Sequence, residues 1–174
     1  MNFFQLYELP VSFIIDKKDL KQKYLVLSRK FHPDFYTGSN SQKQAEMLSL
    51  STQNNKAFQT LSDFDKRIKY ILMEKGYLEE EEKFALPQMF LMEMMDLNEL
   101  AMEVEFDPEP EKKQEVLSHI QTAETTLFDT INPLLKSYSE QKATESDYKA
   151  IKEFYYKRKY LLRIRAQLDK FADD

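Results

Sequence analysis

A chain of 174 residues accommodates one domain or two small ones, and this one is 42% hydrophobic and 32% charged. It has 2 glycines and no cysteine; this rules out a Gly-rich phosphate loop, disulfides, thiolate zinc sites, cysteine-ligated iron–sulfur clusters and thiol nucleophiles, while abundant Leu, Lys, Glu, Met and Gln predict an all-α protein. The net charge of −5 is uneven: residues 1–75 hold 12 Lys/Arg against 8 Asp/Glu (+4), and residues 76–174 hold 13 against 22 (−9), which suggests two surfaces for two different partners.

The opening MNFFQLYELPVSFIID lacks a basic leader and soon meets Glu8 and Asp16, so it reads as neither a signal peptide nor an Arg-rich transit sequence. No apolar run approaches the ~20 residues needed to span a bilayer, and a soluble cytoplasmic protein is expected. After Leu9-Pro10, Asp16 is placed to cap a helix to about Phe31, with Leu20, Tyr24, Leu27 and Phe31 as its core stripe. Lys17, Lys18, Lys21, Lys23, Arg29 and Lys30 occupy the rest of that helix. Pro33 pushes His32 out of helical geometry, so HPDFYTGSNS is predicted to be a loop. A second long helix is expected over roughly Ser41 to Leu61, with Leu50, Asn54, Phe58 and Leu61 on one side. A third runs from about Asp65 to Lys75 and is stopped by Gly76.

EEEEK at 79–83 is a solvated charge run and reads as a linker. Leu86-Pro87 opens a helix lasting to about Glu105, and DPEPE at 107–111 breaks it. Another helix spans about Glu111 to Tyr138, with an interruption or kink near Asn132-Pro133. The last begins at Thr144, which forms a capping-box pattern with Asp147, and its stripe is Ile151, Phe154, Leu161, Ile164, Leu168 and Phe171.

His32 beside Asp34 has the chemistry of an oriented general base or of two metal ligands. A metal site needs three or more converging ligands, and the other histidine, His119, is remote in sequence. On residues alone, a loop histidine without a role and an ordinary solvated lysine face remain open. Nucleic acid is disfavoured by the acidic balance and by the lack of an aromatic stacking platform.

The wider context decides between these readings. NFFQLYELP, then LKQKYLVLSRKFHPDF, then NKAFQTLSD and KRIKYIL resemble the J-domain family over almost all of residues 1–75. The pattern L-x3-Y-x7-HPD followed by N-x-A-F-x2-L-S-D is far more specific than the bare tripeptide. The resemblance implies an antiparallel helical hairpin that docks on a DnaK-class chaperone and stimulates its ATP hydrolysis. His32, Pro33 and Asp34 would be the stimulating loop, and Lys17, Lys18, Lys21, Lys23, Arg29 and Lys30 the docking face. Phe35 stands where many J domains have a basic residue.

The helix LPQMFLMEMMDLNELAMEVEF at 86–106 holds five of the eight methionines. Subtracting a core stripe of Phe90, Leu97, Ala101 and Val104 leaves Leu91, Met92, Met95 and Met102, interleaved with Asp96 and Glu99. Such a helix lies deep in a core or presents an interface, and periodicity alone leaves both open. FLMEMMDLNEL, with NFFQLYELP and KRKYLLRIRAQLDKF, is similar to the HscB-type co-chaperones of iron–sulfur cluster assembly over essentially the full chain. That resemblance implies a J domain at 1–76, a linker at 77–85 and a C-terminal three-helix scaffold-binding domain at 86–174, together L-shaped. It further implies that Leu91, Met92, Met95, Asp96, Glu99 and Tyr160 contact an IscU-type scaffold protein, and that the chaperone is of the DnaK/HscA class. Met95 and Asp96 depart conservatively from the usual Leu and Glu. No cofactor, membrane or nucleic-acid partner is expected. The competing functions are a general J-domain adaptor for another client and a metal-dependent helical enzyme using His32, Asp34 and His119.

Overall fold

The computed structural model describes residues 2–107 and 109–170. Its secondary structure is helical throughout, in two compact units: Met1–Lys75 with Tyr138–Lys142, and Gly76–Ser137 with Ala143–Asp174.

The first unit holds α1 (Phe3–Leu6), α2 (Lys17–Lys30), a 3-10 turn (Pro33–Tyr36), α3 (Ser41–Ser62) and α4 (Phe64–Glu74). Short acceptors start each long helix. Asp16 accepts from the N–H groups of Lys18 (2.7 Å) and Asp19, Asn40 from that of Lys43 (2.9 Å) and Asp63 from that of Lys66 (2.9 Å). Gly76, at φ +74°, follows α4 in the left-handed conformation that a residue with a Cβ adopts at a cost. The helix α1 was not foreseen. Four residues are too few to show a period, and it is held by an Asn2/Gln5 capping box and by Tyr70, which stacks on Phe3 (4.5 Å) and whose hydroxyl accepts from its N–H.

Antiparallel α2 and α3 enclose Leu20, Met47, Ala57 and Leu61, and Tyr24 stacks on Phe58 at 4.2 Å. Two polar side chains are fully enclosed. Asn54 accepts from the Tyr7 hydroxyl (2.8 Å) and donates to the Tyr24 carbonyl (3.2 Å) and the Ser28 hydroxyl (3.0 Å), tying α2 and α3 to the segment after α1. Burial pushes the Tyr7 hydroxyl's pKa up, keeping it a neutral donor. Arg67 donates to the carbonyls of Phe13 (3.0 Å) and Leu61; burial pulls its pKa down, opposed by Asp63 and Asp65.

The second unit holds α5 (Gln88–Phe106), α6 (Pro110–Ser137) and α7 (Glu145–Lys170). Phe90, Met94, Leu97, Ala101 and Val104 of α5 meet Val116 and Ile120 of α6 and Leu161, Ile164 and Leu168 of α7. Thr144 and Asp147 form the reciprocal cap, Asp147 Oδ2 accepting from the Thr144 N–H at 2.7 Å. Of the expected interruption or kink, the interruption does not occur: α6 runs on through Pro133. The proline sits in the last turns between buried Ile131 and Leu135, and packing on both sides holds the segment helical despite one absent donor. Phe171, expected in the α7 stripe, lies outside the described residues.

The acidic stretch after Gly76 is anchored at its flanks. Tyr77 stacks on Tyr148 (4.3 Å), Leu78 is buried, Phe84 stacks on Tyr156 (4.5 Å), and Glu82 pairs with Lys152.

Candidate functional site: two exposed surfaces

The 3-10 turn is built by its flanks. Phe31 ends α2 by turning into the core, and Pro33 leaves His32 extended (φ −64°, ψ 126°). The Tyr36 hydroxyl donates back to the Lys30 carbonyl (2.8 Å), while the Gln44 side-chain amide donates to the carbonyls of Thr37 (3.1 Å) and Ser39 (2.9 Å). The turn is thus fixed to the end of α2 and the start of α3. His32, Pro33 and Asp34 are all exposed on it. The Asp34 N–H points at His32 Nδ1 (3.3 Å), and the Asp34 carboxylate lies 3.6 Å from the same nitrogen. An imidazole carries at least one N–H, so His32 presents a hydrogen-bond donor on this exposed turn whichever ring nitrogen holds the proton. Phe35 is 74% exposed, its ring edge-on to His32 at 5.9 Å.

The six cations of α2 do not share one face. At about 100° per residue, Lys17, Lys18, Lys21 and Arg29 fall within an arc of roughly 120°. On that shoulder Leu25, Ser28 and Arg29 line a shallow groove with His32, Asp34 and Phe35. Lys23 and Lys30 lie on the opposite shoulder, where Lys23 borders a groove with Leu6 and Tyr7, and Lys30 sits 5.8 Å over the Phe31 ring.

On α5 the packing divides the apolar residues into two sets. One is the buried set above, which includes Met94, a residue that periodicity left unassigned. Leu91 (40%), Met92 (59%), Met95 (57%) and Met102 (53%) remain exposed, as do Asp96 and Glu99. These methionines therefore lie outside the core of their own unit. Tyr160 differs: it is half-buried, packed edge-on to Phe90 (5.7 Å), and its hydroxyl accepts from the Asn98 side-chain amide. It links α7 to α5 beneath the exposed face. Among the described residues no three His, Cys, Asp or Glu side chains cluster in a way that could hold a metal ion, and no helix is long and apolar enough to cross a membrane.

Residues 86–169 match the family model described as the HSCB C-terminal oligomerisation domain. Over nearly its whole length the chain is also 27% identical to the co-chaperone protein HscB homolog of Vibrio cholerae serotype O1 (strain M66-2), covering 99% of this chain and 98% of that relative. The chain is similar to the HscB co-chaperones from end to end, and its second half carries their C-terminal domain. Among solved structures it superposes on the chaperone HscB from Vibrio cholerae with a TM-score of 0.77 at 25% identity, over 99% of this chain and 98% of that one. The human co-chaperone protein HscB shares the fold at a TM-score of 0.83 and 24% identity, over 99% of this chain and 83% of that one. A stretch of 77 residues is 43% identical to the co-chaperone protein HscB of Buchnera aphidicola, covering 44% of each chain.

Two further exposed apolar residues lie on these surfaces without being singled out by the sequence pattern: Phe106, 84% exposed at the end of α5, and Leu25, which lines a groove with Phe35. Phe106 was detectable: it follows Met95 and Met102 by 11 and 4 residues, on the same helical face.

Proposed function

We propose that the chain is a bridging co-chaperone of iron–sulfur cluster assembly. Residues 1–76 act as the J domain, 77–85 as the connection and 86–174 as the scaffold-binding domain. Leu91, Met92, Met95, Asp96 and Glu99 on α5 bind an IscU-type scaffold protein, with Tyr160 positioning that face from behind. His32, Pro33 and Asp34 engage a DnaK/HscA-class chaperone and stimulate its ATP hydrolysis, and Lys17, Lys18, Lys21 and Arg29 supply the main docking charge. Lys23 and Lys30 contribute at longer range.

One observation carries this reading: a chain aligned along its full length with HscB co-chaperones keeps both a clamped, exposed HPD turn and a Leu/Met face that its own core leaves uncovered. The turn's hydrogen bonds to α2 and α3 reduce the entropy lost when a partner closes over it. His32 then offers a donor and Asp34 an acceptor about a rigid proline, while hydrolysis itself takes place in the partner's own site. The cations speed encounter with an acidic surface. Holding the scaffold on the same molecule turns its meeting with the chaperone into an intramolecular event, raising its effective concentration without any new contact.

The test is a steady-state ATPase assay with a purified DnaK/HscA-class chaperone and an IscU-type scaffold. Chain and scaffold together should stimulate more than either alone. His32→Gln should abolish the stimulation while leaving scaffold affinity and melting temperature intact; stimulation that survives it would sink the loop assignment. Capture of a different client, with no affinity for the scaffold, would support the general-adaptor reading instead.

A further inference from the structure

The exposed apolar residues of α5 do not stop at the residues assigned above. Met92, Met95, Glu99, Met102 and Phe106 are spaced 3, 4, 3 and 4 apart, and all five are exposed. Alternating steps of three and four keep residues in one straight seam along a helix. At about 1.5 Å per residue, the seam from Met92 to Phe106 is about 21 Å long. Its far end is concave: Glu99, Met102, Glu103, Phe106, Asp107 and Lys112 line an open groove, with Lys112 held 3.3 Å from Asp107 and 3.4 Å from Glu109. The core of the second unit does not use this groove, since Ala101 and Val104 already fill the inner face at that level.

Resting on the scaffold-binding reading, we propose that the partner contact has a second anchor here. Met102 and Phe106 would seat a bulky apolar side chain from a basic, amphipathic segment of the scaffold protein. The charge of the surround selects the occupant. The helix carries Glu93, Asp96, Glu99, Glu103 and Glu105 and no Lys or Arg. A second copy of this chain laid along the seam would set these carboxylates against their own counterparts, and like-charge juxtaposition across an interface is strongly unfavourable. The same charges repel nucleic acid and anionic lipid. A segment with lysine or arginine flanking its apolar residues meets both requirements. Phe106 is also the kind of large, rigid side chain that anchors interfaces, and nothing on its own chain covers it.

The full chain should be titrated calorimetrically with the purified scaffold as Met102→Ala/Phe106→Ala, beside Leu91→Ala/Met92→Ala/Met95→Ala and the parent. The expected result is a loss of about tenfold or more in affinity for the Met102/Phe106 variant, with its melting temperature unchanged because both side chains are exposed. An unchanged affinity in that variant, with binding lost in the Leu91/Met92/Met95 variant, overturns the second anchor and leaves the proposed function standing. Unchanged affinity in both overturns the placement of scaffold binding on α5, and no binding by the parent chain overturns the scaffold-binding reading itself. A photo-crosslinking amino acid at position 106 supplies an independent readout. Cross-linking to a Lys/Arg-containing segment of the scaffold supports the anchor, while cross-linking to a second copy of this chain, or none at all, overturns it.

Discussion

Replacing Lys21 and Arg29 by Glu, or Lys23 and Lys30 by Glu, alters the net charge equally, so a difference between the two variants reports position alone. A carboxylate of the chaperone docked on the His32 shoulder lies about 8 Å from the nearer pair, and the helix's own width of about 10 Å puts the farther pair about 18 Å away. A unit charge pair in water is worth about 0.5 kcal/mol at the first distance and about 0.2 kcal/mol at the second. With a Debye length of about 8 Å at physiological salt, these values fall to about 0.2 and about 0.02 kcal/mol. Each Lys/Arg→Glu change swings two charge units and each variant holds two such changes. One partner carboxylate therefore predicts a loss of about 0.8 kcal/mol, three- to fourfold, for Lys21/Arg29, against about 0.1 kcal/mol for Lys23/Lys30. Two carboxylates on the partner raise the first effect to about tenfold. The assay is the chain concentration giving half-maximal chaperone ATPase, at low and at physiological salt. The Lys21/Arg29 variant should need more protein to reach the same plateau, with the gap from the Lys23/Lys30 variant persisting at physiological salt. Equal losses in the two variants would refute the one-shouldered docking face and reduce the cations to a diffuse field.

The remaining predictions concern stability. Leu91→Ala/Met92→Ala/Met95→Ala should melt within a few degrees of the parent, since these side chains are exposed and Ala favours the helix, whereas Leu97→Ala should lose about 2–5 kcal/mol; calorimetric melting temperatures as low for the first as for the second would return the Leu/Met face to the core. Asn54→Ala removes the buried partner shared by Tyr7, Tyr24 and Ser28 and should cost about 2–4 kcal/mol in urea unfolding, and an unshifted midpoint would show that the network contributes nothing net. The hydrogen bond from Lys152 holds the Glu82 carboxyl below its ordinary value of 4.5. Its folded pKa being the lower one, its contribution is complete above the unfolded value and is lost as pH falls through the folded value. Glu82→Gln should therefore flatten the acid side of a melting-temperature-versus-pH curve, and an unaltered slope there would show that the pair adds no stability.

What could be read from the sequence was what is encoded locally. The stripe Leu20, Tyr24, Leu27 and Phe31, the caps at Asp16 and Thr144 and the stop at Gly76 each need only neighbouring residues to declare themselves, and they placed the helices within a few residues. What escaped depends on partners distant in the chain. The helix α1 needs Tyr70 to hold Phe3, and α6 stays helical through Pro133 because Ile131 and Leu135 are buried around it. The acidic run looks like open linker until Tyr77 and Phe84 are seen stacked on Tyr148 and Tyr156. None of these distant partners leaves a periodic mark.

The candidate surfaces follow the same division. The HPD turn was legible because proline and a polar run act on the backbone where they stand, yet the clamp that fixes it, Tyr36 to the Lys30 carbonyl and Gln44 to two loop carbonyls, joins three elements. For α5 the periodicity gave an inward stripe of Phe90, Leu97, Ala101 and Val104 but left open whether the remaining apolar residues were buried as well. Contact with α6 and α7 settles that, burying Phe90, Met94, Leu97, Ala101 and Val104. A single helix face in a three-helix unit can bury one stripe. The second stripe, from Leu91 to Phe106, stays largely exposed, and a contiguous exposed apolar surface of this kind is what the proposed partner contact would use. The functional signal in such a helix is therefore the apolar excess over what its own unit can cover, and here that excess extends through Met102 to Phe106.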